Sequence, residues 1–124
     1  MSQLEIGDVV TARFPEHDPQ GHEQEGYRPA IVLGLPGRLG QPRFDLVLVV
    51  PLTTDHGQSW AAASPDLYPR LRAGMGGLPR DSILLLEQIR TLDTSRMSRY
   101  LGQLSKAHYE PIRRGLARMC RLER

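Results

Sequence analysis

A small, strongly bent antiparallel sheet or barrel with one C-terminal helix is the fold this sequence predicts. Two observations carry that reading. Short apolar runs of strand length alternate with turns rich in glycine and proline along most of the chain. The clearest helical stripe comes last, with Ile112, Leu116 and Met119 on one side and Arg114, Arg118 and Arg121 on the other.

Val10, Ala12 and Phe14 alternate with Thr11 and Arg13, the period of a half-buried strand. Gly21 to Gly26 is polar and bracketed by glycines, which predicts a loop. Pro29 to Leu33 resumes as a strand, and the stretch from Leu35 to Arg43 supplies a Gly/Pro-rich turn. Phe44 to Val50 is apolar at nearly every position, as in a strand covered on both faces. Beyond Pro51, a polar turn over Thr53 to Gly57 leads to a possible strand at Trp60 to Ala63. Residues 64–80, with three prolines and three glycines, read as a mobile surface excursion. Ile83 to Leu86 and Ile89 to Leu92 form one long strand or two broken near Glu87 and Gln88. Asp93 is placed to cap a short helix through Met97 and Leu101 that ends at Gly102. Ser105 behind Leu104 has the pattern of a cap and staple for the last helix. Pro111 would remove a hydrogen bond from its second turn, which places the regular helix nearer Tyr109. No repeat or linker divides residues 1–124, so one domain is expected.

Composition narrows the class. The longest apolar run is too short to span a bilayer, and the N-terminus lacks the basic start and apolar stretch of a signal peptide. Cys120 is the single cysteine, so no internal disulfide forms and the cytoplasm is the default location. The net charge of +2 is unevenly spread. Residues 1–60 carry four arginines against eight acids, while residues 61–124 carry twelve cations against six acids. All but one of the cations are arginine, whose planar fork suits phosphate, so a polyanionic partner or an acidic peptide fits the second half.

Three segments concentrate polar chemistry. In the stretch from His22 to Pro29, Arg28 precedes a proline that holds its backbone extended. A guanidinium fixed at a loop–strand junction can grip a phosphate or developing anion, or it can pair with Glu23 or Glu25 and pin the loop. At Val50 to Thr54 an apolar strand ends in two hydroxyls, which can donate to phosphate oxygens or close a turn. Glu87 and Gln88 interrupt a run of leucines, where a carboxylate can act as a base, fix an arginine or simply face water. The sequence has no Gly-rich phosphate loop, no metal-ligand spacing among its four histidines and one cysteine, and no nucleophile elbow.

Taken together these segments resemble the MazF/PemK (Kid-like) toxin endoribonucleases of type II toxin–antitoxin pairs. The matching pieces are Gly7-Asp8-Val9-Val10, Gly21-His22-Glu23-Gln24 through Arg28-Pro29-Ala30, Val50-Pro51-Leu52-Thr53-Thr54, Asp81-Ser82, Gln88-Ile89-Arg90-Thr91, Ser95-Arg96-Met97 and Leu101-Gly102. The resemblance implies a small SH3-like barrel with a C-terminal helix, forming a homodimer. It also implies metal-independent, sequence-specific cleavage of single-stranded RNA without a cofactor, leaving a cyclic phosphate. An antitoxin with an acidic tail is the implied protein partner. The family's active-site arginine falls on Arg28 and its threonine on Thr53, while His22 and Glu87 match further catalytic positions of the PemK-like branch. The other polar residues of these motifs, Glu23, Gln24, Tyr27, Thr54 and Gln88, are the expected RNA contacts, with Trp60 a further stacking candidate. Two departures stand out: Glu87 replaces the usual aspartate, and Leu85 occupies the place of that branch's arginine. The stretch from Glu16 to Gln20 is slightly longer than usual. A weakened toxin, or a non-catalytic module like the gyrase-binding toxins of the same fold, is the alternative.

Overall fold

The computed structural model describes residues 3–122. Three long strands form its centre: β1 (Asp8–Phe14), β2 (Gly26–Gly34) and β3 (Leu46–Thr54). They pair antiparallel in chain order, with Val9 opposite Ile31 in the first ladder and Ala30 opposite Pro51 in the second. Successive residues of a strand face opposite sides of a sheet, and here both sides are covered. Val9, Ile31, Leu33, Val50 and Leu52 belong to one core, and Val10, Ala12, Ala30, Val32, Val47 and Val49 to another. That double coverage is why β3 reads as almost continuously apolar. Each fully buried Val, Leu or Ile contributes about 1.5–3 kcal/mol, so these two cores carry most of the fold's stability.

The shorter strands wrap this centre. β4 (Arg70–Leu71) pairs with β5 (Ser82–Leu84), which pairs with the end of β3. β6 (Arg90–Asp93) lies along the beginning of β3, and β7 (Met97–Gln103) lines the outer side of β1. The order is β4-β5-β3-β2-β1-β7, with β6 also on β3. Register shifts in the β1–β7 and β2–β3 ladders bend the strands. The result is a curled, antiparallel half-barrel of the SH3-like kind with one C-terminal helix. A short 3-10 turn, Met75–Gly77, closes against β7. Gly77 has φ 75°, and a Cβ there would overlap the Leu101 carbonyl oxygen, so the close approach requires glycine.

The helix α2 (Lys106–Met119) starts where Ser105 Oγ accepts a hydrogen bond from the His108 N–H at 3.1 Å. Leu104 is buried in the same core that Tyr109 packs against, the contact expected of a staple. Ile112 is fully buried and Leu116 lies against the same core, whereas Met119 is largely exposed. No helix among the described residues is long and apolar enough to cross a membrane.

Several expectations are corrected. Trp60 to Ala63 is not a strand but part of a short helix, α1 (Ser59–Ala63), because a run of alanines favours the helix and Ala61 seals against Ile83 and Leu85. The helix expected from Asp93 to Gly102 lasts one 3-10 turn, Thr94–Arg96. Asp93 does cap that turn, accepting from the Ser95 N–H at 2.9 Å, but β1 then captures Met97 onward as a strand. Residues 64–80 do not stand off the surface: Leu71 and Leu78 are buried and β4 joins the sheet. β3 begins at Leu46, leaving Phe44 exposed, and runs through Thr53 and Thr54, which are strand residues. α2 is regular from Lys106, with Pro111 inside it, since the cap and staple outweigh one missing hydrogen bond. Of the two readings left open for Ile83 to Leu92, the structure has the second: two strands, broken as expected at Glu87 and Gln88, by a 3-10 turn over Leu86–Gln88.

Candidate active site

A fork in the sheet at Pro51 makes the cleft. Pro51 has no N–H to give a ladder, and it stands where β3 leaves β2 for β5. Carrying the register of Ala30 opposite Pro51 two residues outward sets Arg28 opposite Thr53, on the same face. There β2 pairs with β1, Arg28 opposite Ala12, and β3 pairs with β5, Thr53 opposite Ile83. The strands part, and a cavity of about 210 Å³ opens between them. Its walls are Tyr27, Arg28 and Pro29 from β2, Leu52, Thr53 and Thr54 from β3, and Pro79, Arg80 and Ser82 leading into β5.

Gly26 turns the chain into β2 with φ 81°, a left-handed conformation that favours glycine. The half-buried Arg28 then donates from Nε to the Glu25 carbonyl at 3.2 Å. Its terminal nitrogens have no protein partner among the described residues. The Glu25 carboxylate is engaged elsewhere, accepting from the His17 N–H at 2.6 Å and from Gln20 Nε2 at 3.2 Å. Arg80, which sequence reasoning missed, brings a second guanidinium to this cleft. Its one signal in the sequence was its place directly before Asp81-Ser82.

The other predicted residues gather beside a second cavity of about 280 Å³, lined by His17, Glu23, Glu87, Gln88, Ile89 and Arg90. Gln88 ties the His22–Gln24 loop down: its Oε1 accepts from the Gln24 N–H at 2.7 Å, and its Nε2 donates to the His22 carbonyl at 3.3 Å. The His22 ring lines neither cavity. Gln24 Oε1 is buried with no hydrogen-bond partner among the described residues. Glu87 Oε2 accepts from the Tyr68 hydroxyl at 2.7 Å, and that bond raises the phenol's pKa, with burial and the Glu87 charge adding to it. The Tyr68 ring meets Trp60 edge to face at 4.8 Å, and Trp60 is half exposed. Leu85 is buried with Ala61 and Ile83, so its position faces the interior and contributes nothing polar to either cavity. Among the described residues no group of three His, Cys, Asp or Glu side chains could hold a metal ion.

A curled half-barrel carrying a C-terminal helix, with an arginine-lined cleft at a fork in its sheet, defines a small barrel protein equipped to hold an anion. The family described as the PemK-like, MazF-like toxin of type II toxin–antitoxin systems matches residues 5–120, and the chain belongs to that family. It is 34% identical over 99 residues to an endoribonuclease MazF of Staphylococcus saprophyticus, covering 80% of this chain and 76% of that one. Its fold matches MazF of Deinococcus radiodurans with a TM-score of 0.70 at 24% identity, over 94% of this chain and 96% of that one. It also matches a mycobacterial endoribonuclease solved with its cognate antitoxin, with a TM-score of 0.68 at 20% identity, over 100% and 99% of the two chains.

Proposed function

We propose that this protein is a sequence-specific endoribonuclease toxin that cuts single-stranded RNA without a metal ion. The observation that carries the reading is the meeting of Arg28 and Thr53 in one cleft of a MazF-family chain. The ribose 2′-oxygen attacks the adjacent phosphorus, the bond to the 5′-oxygen of the next nucleotide breaks as that oxygen takes up a proton from water, and a 2′,3′-cyclic phosphate and a 5′-hydroxyl are left. Charge builds on the phosphorane oxygens, where a guanidinium is worth most. Arg28 supplies it, because a guanidinium does not give up its proton and so serves as an anchor rather than a shuttle. Thr53 holds the phosphate through its hydroxyl or neighbouring N–H. The proton of the 2′-hydroxyl passes to His22 or Glu87, which sit on the loop and the turn joined by Gln88. Glu23, Gln24, Tyr27, Thr54 and Gln88 contact the strand, and Trp60 offers a stacking surface.

An antitoxin with an acidic, initially disordered tail is the proposed partner, covering the same cleft, and the working form is a homodimer in the cytoplasm. The similarity to a relative solved with its cognate antitoxin supports the first of these. Incubating the pure protein with a long, structure-poor RNA, beside an Arg28→Ala variant, tests the whole reading. Fragments from the wild type alone support it. An intact RNA in both lanes leaves a non-catalytic binding module of the same fold.

A further inference from the structure

We propose that Arg80 is a second phosphate-binding residue, holding the phosphate that flanks the scissile one. The inference rests on the nuclease reading above and deepens it. Two guanidiniums, Arg28 and Arg80, line one cleft of about 210 Å³. Its other polar side chains are the hydroxyls of Tyr27, Thr53, Thr54 and Ser82, and no carboxylate lines it. Two like charges in a shared recess repel one another until an anion arrives. A nearby acid would relieve that repulsion, and the acids next to the lining residues Arg80 and Thr54 are committed elsewhere: Asp81 Oδ1 accepts from the Ala73 N–H at 2.8 Å, and Asp55 pairs with Arg70 at 3.5 Å.

The backbone that presents Arg80 is fixed at three points. The buried Ser82 donates from Oγ to the Arg80 carbonyl at 2.9 Å, the Asp55 N–H donates to the Asp81 carbonyl at 2.8 Å, and Ser82 pairs with Thr54 in the β3–β5 ladder. Arg80 is therefore held beside Thr53 and Thr54 while its own side chain reaches solvent. Arg28 is half-buried at the opposite wall. A half-buried guanidinium and an exposed one on facing walls suit two consecutive phosphates of one strand, the half-buried one holding the phosphate that is cut.

The test is equilibrium binding of a 2′-O-methyl oligouridine 12-mer, which resists cleavage, over a range of salt concentrations. Each phosphate contact on a single strand adds about 0.7 to the slope of log affinity against log salt. Arg80→Gln is expected to bind about tenfold more weakly and to lower the slope by about 0.7. Arg80→Lys keeps the charge and is expected to keep the slope. Arg38→Gln, which removes the same charge from the β2–β3 turn, is expected to leave both unchanged. An Arg80→Gln protein within twofold of wild type with an unaltered slope overturns the proposal, as does an equal loss in Arg38→Gln. If the slope falls as expected but the wild type cuts no RNA, the nuclease reading fails and the second anion contact stands. If RNA is cut in an Arg28-dependent way while Arg80→Gln binds normally, only the present inference fails.

Discussion

Arg28 and Thr53 line one cleft, each two residues beyond the last rung of the β2–β3 ladder, where Ala30 lies opposite Pro51. Strand register is set by the whole ladder, so the pair is placed by Ala30, Ile31 and Val32 against Pro51, Val50 and Val49. The site inherits its precision from the core. Arg28→Ala is expected to lower kcat by about 10²–10³, the loss found for single electrostatic donors to a developing oxyanion. Arg28→Lys is expected to recover little, since an ammonium cannot reproduce the planar fork. Thr53→Val keeps the branched shape of a strand residue but loses the hydroxyl, with an expected loss of about tenfold. Initial cleavage rates on one RNA measure all three, and an Arg28→Ala protein within tenfold of wild type contradicts the assigned role.

The nucleophile belongs to the RNA in this scheme. A single 2′-deoxy substitution at the cut position is expected to abolish cleavage while binding persists. EDTA in the reaction is expected to change nothing. Cleavage that EDTA stops and added magnesium restores refutes the metal-independent mechanism.

Gln88 lines the second cavity and fastens the neighbouring loop to it. It holds the His22–Gln24 loop by one accepted and one donated hydrogen bond, each contributing about 1 kcal/mol. Gln88→Ala is expected to release that loop, reducing kcat about tenfold or more while the midpoint of thermal unfolding falls only a few degrees. Hydrogen exchange at the Gln24 amide is the direct readout: it is expected to accelerate in the variant, and unchanged protection rules the clamp out.

Much of the fold was legible because its signals are local or periodic. The alternation in β1, the apolar run of β3 and the Ser105 cap with its Leu104 staple are each written in a few adjacent residues. What sequence reasoning missed is set by partners distant in the chain. Met97 to Gln103 is a strand because β1 accepts it, an outcome no window around Asp93 reveals. Trp60 to Ala63 lacked any alternation and became a helix once Ala61 could pack on Ile83. The candidate site divides in the same way. Arg28 and Thr53 came from motifs, whereas Arg80 joins them only through the fork at Pro51, and the bond from Tyr68 to Glu87 spans 19 residues of chain.

Ser105 tests the terminal helix. Replacing an N-cap serine by alanine usually costs about 1 kcal/mol, which corresponds to a fall of about 3–5 °C in Tm for a chain of this size. Ser105→Ala is expected to show that loss with cleavage unchanged, because α2 packs behind the sheet and contributes no residue to either cavity at Arg28 or Glu87. Ser105→Asp is expected to retain the stability, since its carboxylate accepts from the same N–H and sits at the positive end of the helix.

The Tyr68–Glu87 bond gives the molecule an alkaline signature. Loss of the phenol proton would remove the donor and set an anion beside the carboxylate, which is why the Tyr68 pKa lies above its ordinary value of 10.0. A group that binds its proton more tightly when folded stabilises the fold fully below its unfolded pKa, and that contribution disappears as pH climbs through the folded value. The stability difference between wild type and Tyr68→Phe is therefore expected to be constant from neutral pH to about pH 9 and to shrink above about pH 10. Glu87→Gln leaves an acceptor in place without the charge, so the Tyr68 titration, followed by tyrosinate absorbance against Tyr68→Phe as the blank, is expected to move back down toward the ordinary range. A titration that stays put in Glu87→Gln would show that burial alone governs the phenol, and the Glu87 carboxylate would then be unconstrained by Tyr68 when RNA binds.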